Sequence, residues 1–195
     1  MKILFLIIIG YFIGNINGAI LLSKILYHED VRSKGSGNAG TTNGLRNYGK
    51  KFAIITFMID FFKGFISAYI GYKLLGEIGI PIGGISSVIG HIYPILYGFR
   101  GGKGLACSAG VVLMISPIFL AVMTTIFALI VIISRYVSLG SISIAILVML
   151  YGLYNIIFKK EIYAGVTFVI LGFIVFFKHK SNIQRLLNKT ESKIF

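Results

Sequence analysis

Three polar stretches interrupt an otherwise apolar chain, and their residue types and spacing suit the handling of an anion. The first runs Gly35-Ser36-Gly37-Asn38-Ala39-Gly40-Thr41-Thr42-Asn43-Gly44-Leu45-Arg46, with four glycines, hydroxyls, amides and a closing arginine, and without one carboxylate. Glycine lets a backbone N–H approach an anion closely, and consecutive N–H groups form an anion nest. Ser36, Thr41, Thr42 and Asn43 can add side-chain donors. A flexible linker between helices would not require so ordered a polar set. The second stretch, Gly90 to Gly104, ends Arg100-Gly101-Gly102-Lys103-Gly104, a backbone cradle flanked by two cations. A nucleotide P-loop is excluded: Tyr97 stands where its first glycine belongs, and Gly104 where its Ser or Thr belongs. His91, taken alone, reads more readily as a hydrogen-bonded structural histidine than as a catalytic one. The third stretch is His179-Lys180-Ser181-Asn182-Ile183-Gln184-Arg185-Leu186-Leu187. On a helix His179, Asn182 and Arg185 recur at i, i+3 and i+6 and share a face. A basic helix resting on anionic lipid headgroups explains the same pattern equally well.

What is missing narrows the chemistry. No histidine has an acid five positions later, since Ser33, Leu96 and Gln184 occupy those places, and no G-x-S-x-G elbow is present. The single cysteine, Cys107, excludes an intramolecular disulfide and a cysteine metal cluster, and His28, His91 and His179 lie far apart in sequence. The reading expects no metal and no cofactor. Three basic stretches with few acids suit a ligand carrying more than one phosphate-like group, or one with two charges.

These stretches must be held by membrane-embedded helices. Of 195 residues, 56% are hydrophobic and 13% charged, against the charged quarter or so that coats a soluble domain. Apolar segments run approximately Ile3–Leu26, Phe52–Tyr72, Ile78–Tyr97, Leu105–Ile133, Leu139–Phe158 and Ile162–Phe177, several of them matching the ~20 residues that cross a bilayer. The first is longer than the apolar region of a cleaved signal and contains Asn15 and Asn17, so it reads as a retained span. Gly10, Gly14 and Gly18 within it are spaced for close helix packing. Asp60 and Lys63, three apart in the second, share a helical face and read as a mutual intramembrane pair.

The fourth segment is too long for one span and carries Ser116-Pro117 near its middle, where proline breaks a helix. If it crosses once, the C-terminal tail lies opposite the 27–51 and 98–104 loops. If it turns at Pro117 and crosses twice, all three lie on one side. Arg32, Lys34, Arg46, Lys50, Lys51, Arg100, Lys103, Lys178, Lys180, Arg185, Lys189 and Lys193 then gather on one face, as the positive-inside rule requires of the cytoplasmic side. The net charge of +13 is explained in this way, with contact to anionic membrane lipids, and needs no nucleic acid. The expected fold is an all-α polytopic bundle of about seven transmembrane helices. Its N-terminus is outside, its C-terminus cytoplasmic, and residues 1–195 form a single domain.

The three stretches in this order resemble the bacterial acyl-phosphate:glycerol-3-phosphate acyltransferase family. The family pattern is close to GSGN-x-GATN-x-x-R, then GH-x-x-P with FKGGKG, then H-R-x-N-I-x-R-L. Here these read GSGNAGTTNGLR, GHIYP with FRGGKG, and HKSNIQRL. The Asp60-x-x-Lys63-Gly64 step and the stretch Arg135 to Ser141 also look familial. Thr41 stands for the usual Ala, Arg100 for Lys and Lys180 for Arg. Cys107 stands where Thr is frequent, and Asn15-Ile16-Asn17 replaces a Ser-Ile-Pro-like stretch.

The resemblance implies a multi-pass enzyme of the bacterial cytoplasmic membrane that acylates the 1-hydroxyl of glycerol 3-phosphate from acyl phosphate, giving lysophosphatidic acid in the first step of phospholipid synthesis. It implies that Ser36, Arg46, Lys103, His179 and Asn182 hold glycerol 3-phosphate or stabilise the reacting centre. It further implies binding contributions from Gly37, Asn38, Gly40, Thr41, Thr42, Asn43, His91, Arg100, Gly101, Gly102, Gly104 and Arg185. A transporter of a phosphorylated solute is the competing reading; it expects polar residues along the middle of several spans, where this sequence has few.

Overall fold

A computed structural model describes residues 1–194, and among these all regular structure is helical. The chain divides into two compact units, Met1–Met114 and the residues from Ile115 onward. In the first unit, α1 (Lys2–Asn15) and α2 (Gly18–Tyr27) replace the single helix expected over Ile3–Leu26. The break has a local cause. Ile16 is extended, and the Asn17 side chain caps α2 by accepting from the Ile20 N–H at 3.0 Å. Next come α3 (Thr41–Leu75), α4 (Gly79–Ile92) and α5 (Leu105–Ile115). Inside α3, Gly49 at φ 83° separates an eight-residue helical start from the apolar body that follows.

Small residues set the helix spacing. A side chain at Gly10 would meet the backbone of Gly83, and one at Gly14 the backbone of Ser87, so the first two glycines of α1 face α4 as expected of a packing motif. Gly18 faces Thr56 on α3, while Gly64 and Gly110 bring α3 and α5 together at Cys107 and Phe61. One feature of α3 departs from the reading of few mid-span polar residues. Thr56, Asp60, Lys63 and Ser67 recur at i, i+4, i+7 and i+11 and are all buried, making a polar stripe along one helical face.

The second unit holds α6 (Pro117–Ser134), α7 (Val137–Tyr154), α8 (Ile162–Lys178) and α9 (Lys180–Leu187). The chain does break at Pro117. Ser116 caps α6 by accepting from the Phe119 N–H, and Pro117 takes the first turn, where its missing N–H leaves no bond unmade. Phe119 stacks on Tyr151 at 4.0 Å between ring centroids and meets Phe168 at 5.2 Å. Gly152 and Gly165 let α7 and α8 touch at the backbone.

By length and composition, four helical stretches among the described residues can cross a membrane: Lys2–Tyr27, Thr41–Tyr97, Pro117–Ser134 and Val137–Lys159. Ile162–Lys178 with Lys180–Leu187, bent by 53°, makes a fifth if the pair is one broken span. Leu105–Ile115 is a shorter apolar helix, because Ser116-Pro117 ends it early.

The packing makes a direct prediction. Gly14→Leu drives a side chain into the Ser87 backbone and destabilises the protein by about 1–3 kcal/mol or more. Ile7→Ala, at an outward position of the same helix, leaves thermal unfolding in detergent nearly unchanged.

Candidate active site

The first glycine-rich stretch is shaped by its own amides. Gly35 and Gly37 have φ of 58° and 70°, a region open to glycine, and they fold the chain back over Asn43. The buried Asn43 side chain accepts from the Ser36 N–H at 3.0 Å and donates to the carbonyls of Val31 and Lys34. Its two amide hydrogens are therefore engaged inside the loop, which corrects the expectation that Asn43 offers a donor to an anion. The Gly37 and Gly40 N–H groups also turn inward, to the carbonyls of Lys34 and Asn38. What remains outward is the start of α3. Gly40 is its N-cap and supplies no side-chain cap, so the first-turn N–H groups of Thr41 and Thr42 mark an anion-favouring helix end. Ser36 is exposed on this loop, Asn38 is half-buried, and Arg46 is exposed in the second turn of α3.

The second stretch packs directly against the first. The Gly101 N–H donates to the Ile92 carbonyl and the Gly102 N–H to the His91 carbonyl. These two groups close a backbone turn, so the expected cradle is not formed by them. Gly102 is buried, and a side chain there would collide with the His91 imidazole and approach the Ala39 carbonyl. That same carbonyl accepts from the Asn17 side chain at 3.3 Å. Gly102 thus fills the narrow gap between the two stretches. The half-buried Lys103 follows it, and Gly104 at φ 89° leads into α5.

Sequence reasoning counted Arg32 only as a charge, yet it ties these loops together. Its guanidinium pairs with Asp30 and donates through Nη1 to the carbonyls of Tyr97 at 2.7 Å and Arg100 at 2.8 Å. Hydrogen bonding to Arg32 holds the Asp30 carboxyl below its usual pKa, against the opposing effect of partial burial. Asn15 was likewise missed: it sits at the end of α1 and accepts from the Leu96 N–H at 3.3 Å. His91 is buried, with Nδ1 2.8 Å from the Lys63 ammonium, and Lys63 in turn pairs with Asp60 at 2.6 Å. The expected intramembrane pair is present and includes the histidine as a third member.

The third stretch lies in the second unit. His179 is buried, and its Nδ1 lies 2.7 Å from the Val175 carbonyl. A carbonyl only accepts, so Nδ1 carries the hydrogen and a neutral ring has its lone pair on Nε2. Asn182 and Arg185 do share a face, and both reach Glu191, at 2.8 and 2.6 Å. Burial raises the Glu191 pKa, but hydrogen bonds from Arg185 and Asn182 outweigh this and leave it lowered. Glu191 escaped the sequence reading; its signal was its rarity, as one of six acids in the chain.

A multi-helix membrane protein with glycine-rich, basic loops gathered at the starts and ends of its helices defines a class, the membrane-embedded enzyme acting on a phosphorylated substrate. Comparison with known proteins narrows it. The family model described as glycerol-3-phosphate acyltransferase matches residues 4–189. The chain is 49% identical over 197 residues to a glycerol-3-phosphate acyltransferase of Finegoldia magna, covering 100% of this chain and 98% of that relative. It is 43% identical to one of Thermoanaerobacter pseudethanolicus, covering 96% and 93%. The crystal structure of PlsY, an integral membrane glycerol 3-phosphate acyltransferase in its glycerol 3-phosphate form, is similar at TM-score 0.90 and 35% identity over 99% of this chain and 96% of that one. The lysophosphatidic acid form is similar at TM-score 0.87 and 34% identity, covering 99% and 95%. The chain belongs to the glycerol-3-phosphate acyltransferase family and is a membrane acyltransferase.

Gly102→Ala tests the junction of the loops. The added methyl group collides with the His91 ring, and kcat/KM for glycerol 3-phosphate is expected to fall by at least about tenfold, a loss of ~1.4 kcal/mol in transition-state stabilisation. Steady-state kinetics on the folded variant checks this.

Proposed function

We propose that this protein transfers an acyl chain from acyl phosphate to the 1-hydroxyl of glycerol 3-phosphate. The hydroxyl oxygen attacks the carbonyl carbon, the bond from that carbon to the phosphate oxygen breaks, and lysophosphatidic acid and inorganic phosphate leave. The observation that carries this reading is the seating of Gly102 between the His91 ring and the Ala39 carbonyl, which joins two basic, glycine-rich stretches beside the uncapped start of α3. The substrate and product forms of the similar PlsY structures support the same assignment of acceptor and product. Lysophosphatidic acid made in this way begins phospholipid synthesis.

An acyl phosphate is a mixed anhydride with a good leaving group, so no covalent enzyme nucleophile is required. The protein's tasks are alignment of the hydroxyl with the carbonyl and neutralisation of phosphate charge. Arg46, Lys103, Arg100 and the N–H groups at the start of α3 suit the second task, and Ser36 supplies a further donor. His179 is placed by its Nδ1 bond to leave Nε2 as an acceptor, which suits it to take the hydroxyl proton. A phosphate oxygen of the substrate is the other acceptor for that proton. The whole chain, residues 1–195, serves as one catalytic domain.

The membrane arrangement in this reading has seven crossings in the bacterial cytoplasmic membrane. The break at Ser116-Pro117 supports two helices where the sequence has one apolar segment, and the basic loops and tail then share the cytoplasmic side. With single cysteines placed at Lys2 and Lys193, a membrane-impermeant maleimide applied to intact cells should label the first position and spare the second. Labelling of both or neither overturns this topology.

The donor is tested by phosphate release from palmitoyl phosphate, with and without glycerol 3-phosphate. Release that depends on glycerol 3-phosphate and matches lysophosphatidic acid formation is expected. Arg46→Ala should lower kcat/KM at least about a hundredfold, the scale of losing a principal charge-stabilising donor. His179→Ala with near wild-type turnover would assign the proton to substrate phosphate. Silence with palmitoyl phosphate, alongside turnover with an acyl thioester, would overturn the donor assignment.

A further inference from the structure

We propose that Lys63 is a positioning residue of the substrate site: it fixes His91 in the tautomer that presents an Nε2–H donor at the junction of the two glycine-rich stretches. The inference rests on reading those stretches as the phosphate site.

The argument is a count of hydrogens. An ammonium carries three N–H donors. Lys63 Nζ has three acceptors in reach, the Ile16 carbonyl at 2.7 Å, Asp60 Oδ1 at 2.6 Å and His91 Nδ1 at 2.8 Å. The first two only accept, so the third hydrogen points at Nδ1, which must offer its lone pair. Asp60 Oδ1 also lies 3.3 Å from His91 Nδ1. Were Nδ1 to carry the hydrogen and donate to Asp60 instead, that N–H would face a Lys63 N–H across 2.8 Å. With Nδ1 as acceptor, the hydrogen of a neutral ring resides on Nε2.

Nε2 is the ring edge turned toward Gly102. The neighbouring Gly101 and Gly102 N–H groups are bonded to the backbone carbonyls of Ile92 and His91. Gly102 lacks the one atom that would cover this edge. An N–H on this edge lies between the two glycine-rich stretches that the proposed function reads as the phosphate site. Lys63 itself is 4% exposed and Asp60 1%, so neither touches substrate; they act through His91. The Ile16 carbonyl that completes the ammonium's shell is freed from helical bonding by the break between α1 and α2.

The test uses full-length protein in lipid nanodiscs labelled with [15N]histidine, with His91 signals assigned by difference from His91→Gln. Long-range proton–nitrogen correlations should report the Nε2–H tautomer in the wild type. Lys63→Met should lose that preference, with the Kd for radiolabelled glycerol 3-phosphate rising about tenfold and kcat changing less. Lys63→Arg, which keeps a donor toward Nδ1, should retain the tautomer. If Lys63→Met does not fold, Asp60→Leu/Lys63→Met removes both buried charges and leaves no donor toward Nδ1 at either position, and it is read identically. An Nδ1–H tautomer in the wild type, an unchanged tautomer in the methionine variant, or a shifted tautomer with unchanged Kd each overturns the proposal. Failure of the acyl-transfer reading is distinct: it appears as wild-type protein without glycerol 3-phosphate-dependent turnover, while the tautomer and Kd measurements still decide the role of Lys63.

Discussion

A charged ammonium buried between membrane helices must have every hydrogen satisfied, and the first unit is organised around meeting that requirement for Lys63. Asp60 on the same helix face neutralises it, the Ile16 carbonyl at the α1–α2 break accepts from it, and His91 on α4 completes the set. Removing one partner of such a pair typically costs about 3–5 kcal/mol, because the other charge is left buried and uncompensated. Three elements are thereby fixed relative to one another: the break after Asn15, the face of α3 and the end of α4. The glycine contacts follow from the same demand. Charges brought into bonding distance across helices require close backbones, and Gly14, Gly64 and Gly90 let α1, α5 and α4 approach their neighbours.

From that anchor the site is built outward. His91 is the last buried polar residue before the chain leaves α4, and its carbonyl and ring hold Gly102 in place. The Ala39 carbonyl rests beside that turn and is steadied by Asn17, which also caps α2. Arg32 binds the second stretch to the foot of the first. The loops are therefore stiff, although they are rich in glycine. Preorganised donors stabilise developing charge without reorganising during reaction, and the proposed direct acyl transfer would draw on rigidity of this kind. In the second unit Glu191 serves a comparable end, gathering Asn182 and Arg185 onto one carboxylate.

Much of this was legible in the residues themselves. Composition required membrane helices, since there are too few charges to coat a soluble domain. The i, i+3 spacing of Asp60 and Lys63 foretold their pairing, and that of Asn182 and Arg185 their common face. Ser116-Pro117 foretold the helix break, because both residues favour a helix start. The three glycine-rich and basic stretches foretold the family. These features are local: each depends on periodicity, on the conformational range of one residue, or on a motif within a few positions.

What the sequence left open depends on contacts between distant positions. Nothing near Asn43 reveals that its amide closes its own loop, because the partners Val31 and Lys34 are backbone carbonyls and carry no side-chain signature. The same holds for the Gly101 and Gly102 N–H groups, which read as an anion cradle until the Ile92 and His91 carbonyls are seen beneath them. The partners of Arg32 lie 65 and 68 positions away, and those of Asn17 and Lys63 are separated from them by 22 and 28. The sequence alone decided which chemical groups are available and that they lie in a membrane. Tertiary packing alone decided which donors are consumed in shaping the loops and which remain directed at the site, because a hydrogen bond is assigned by proximity in space, and chain order leaves that undetermined.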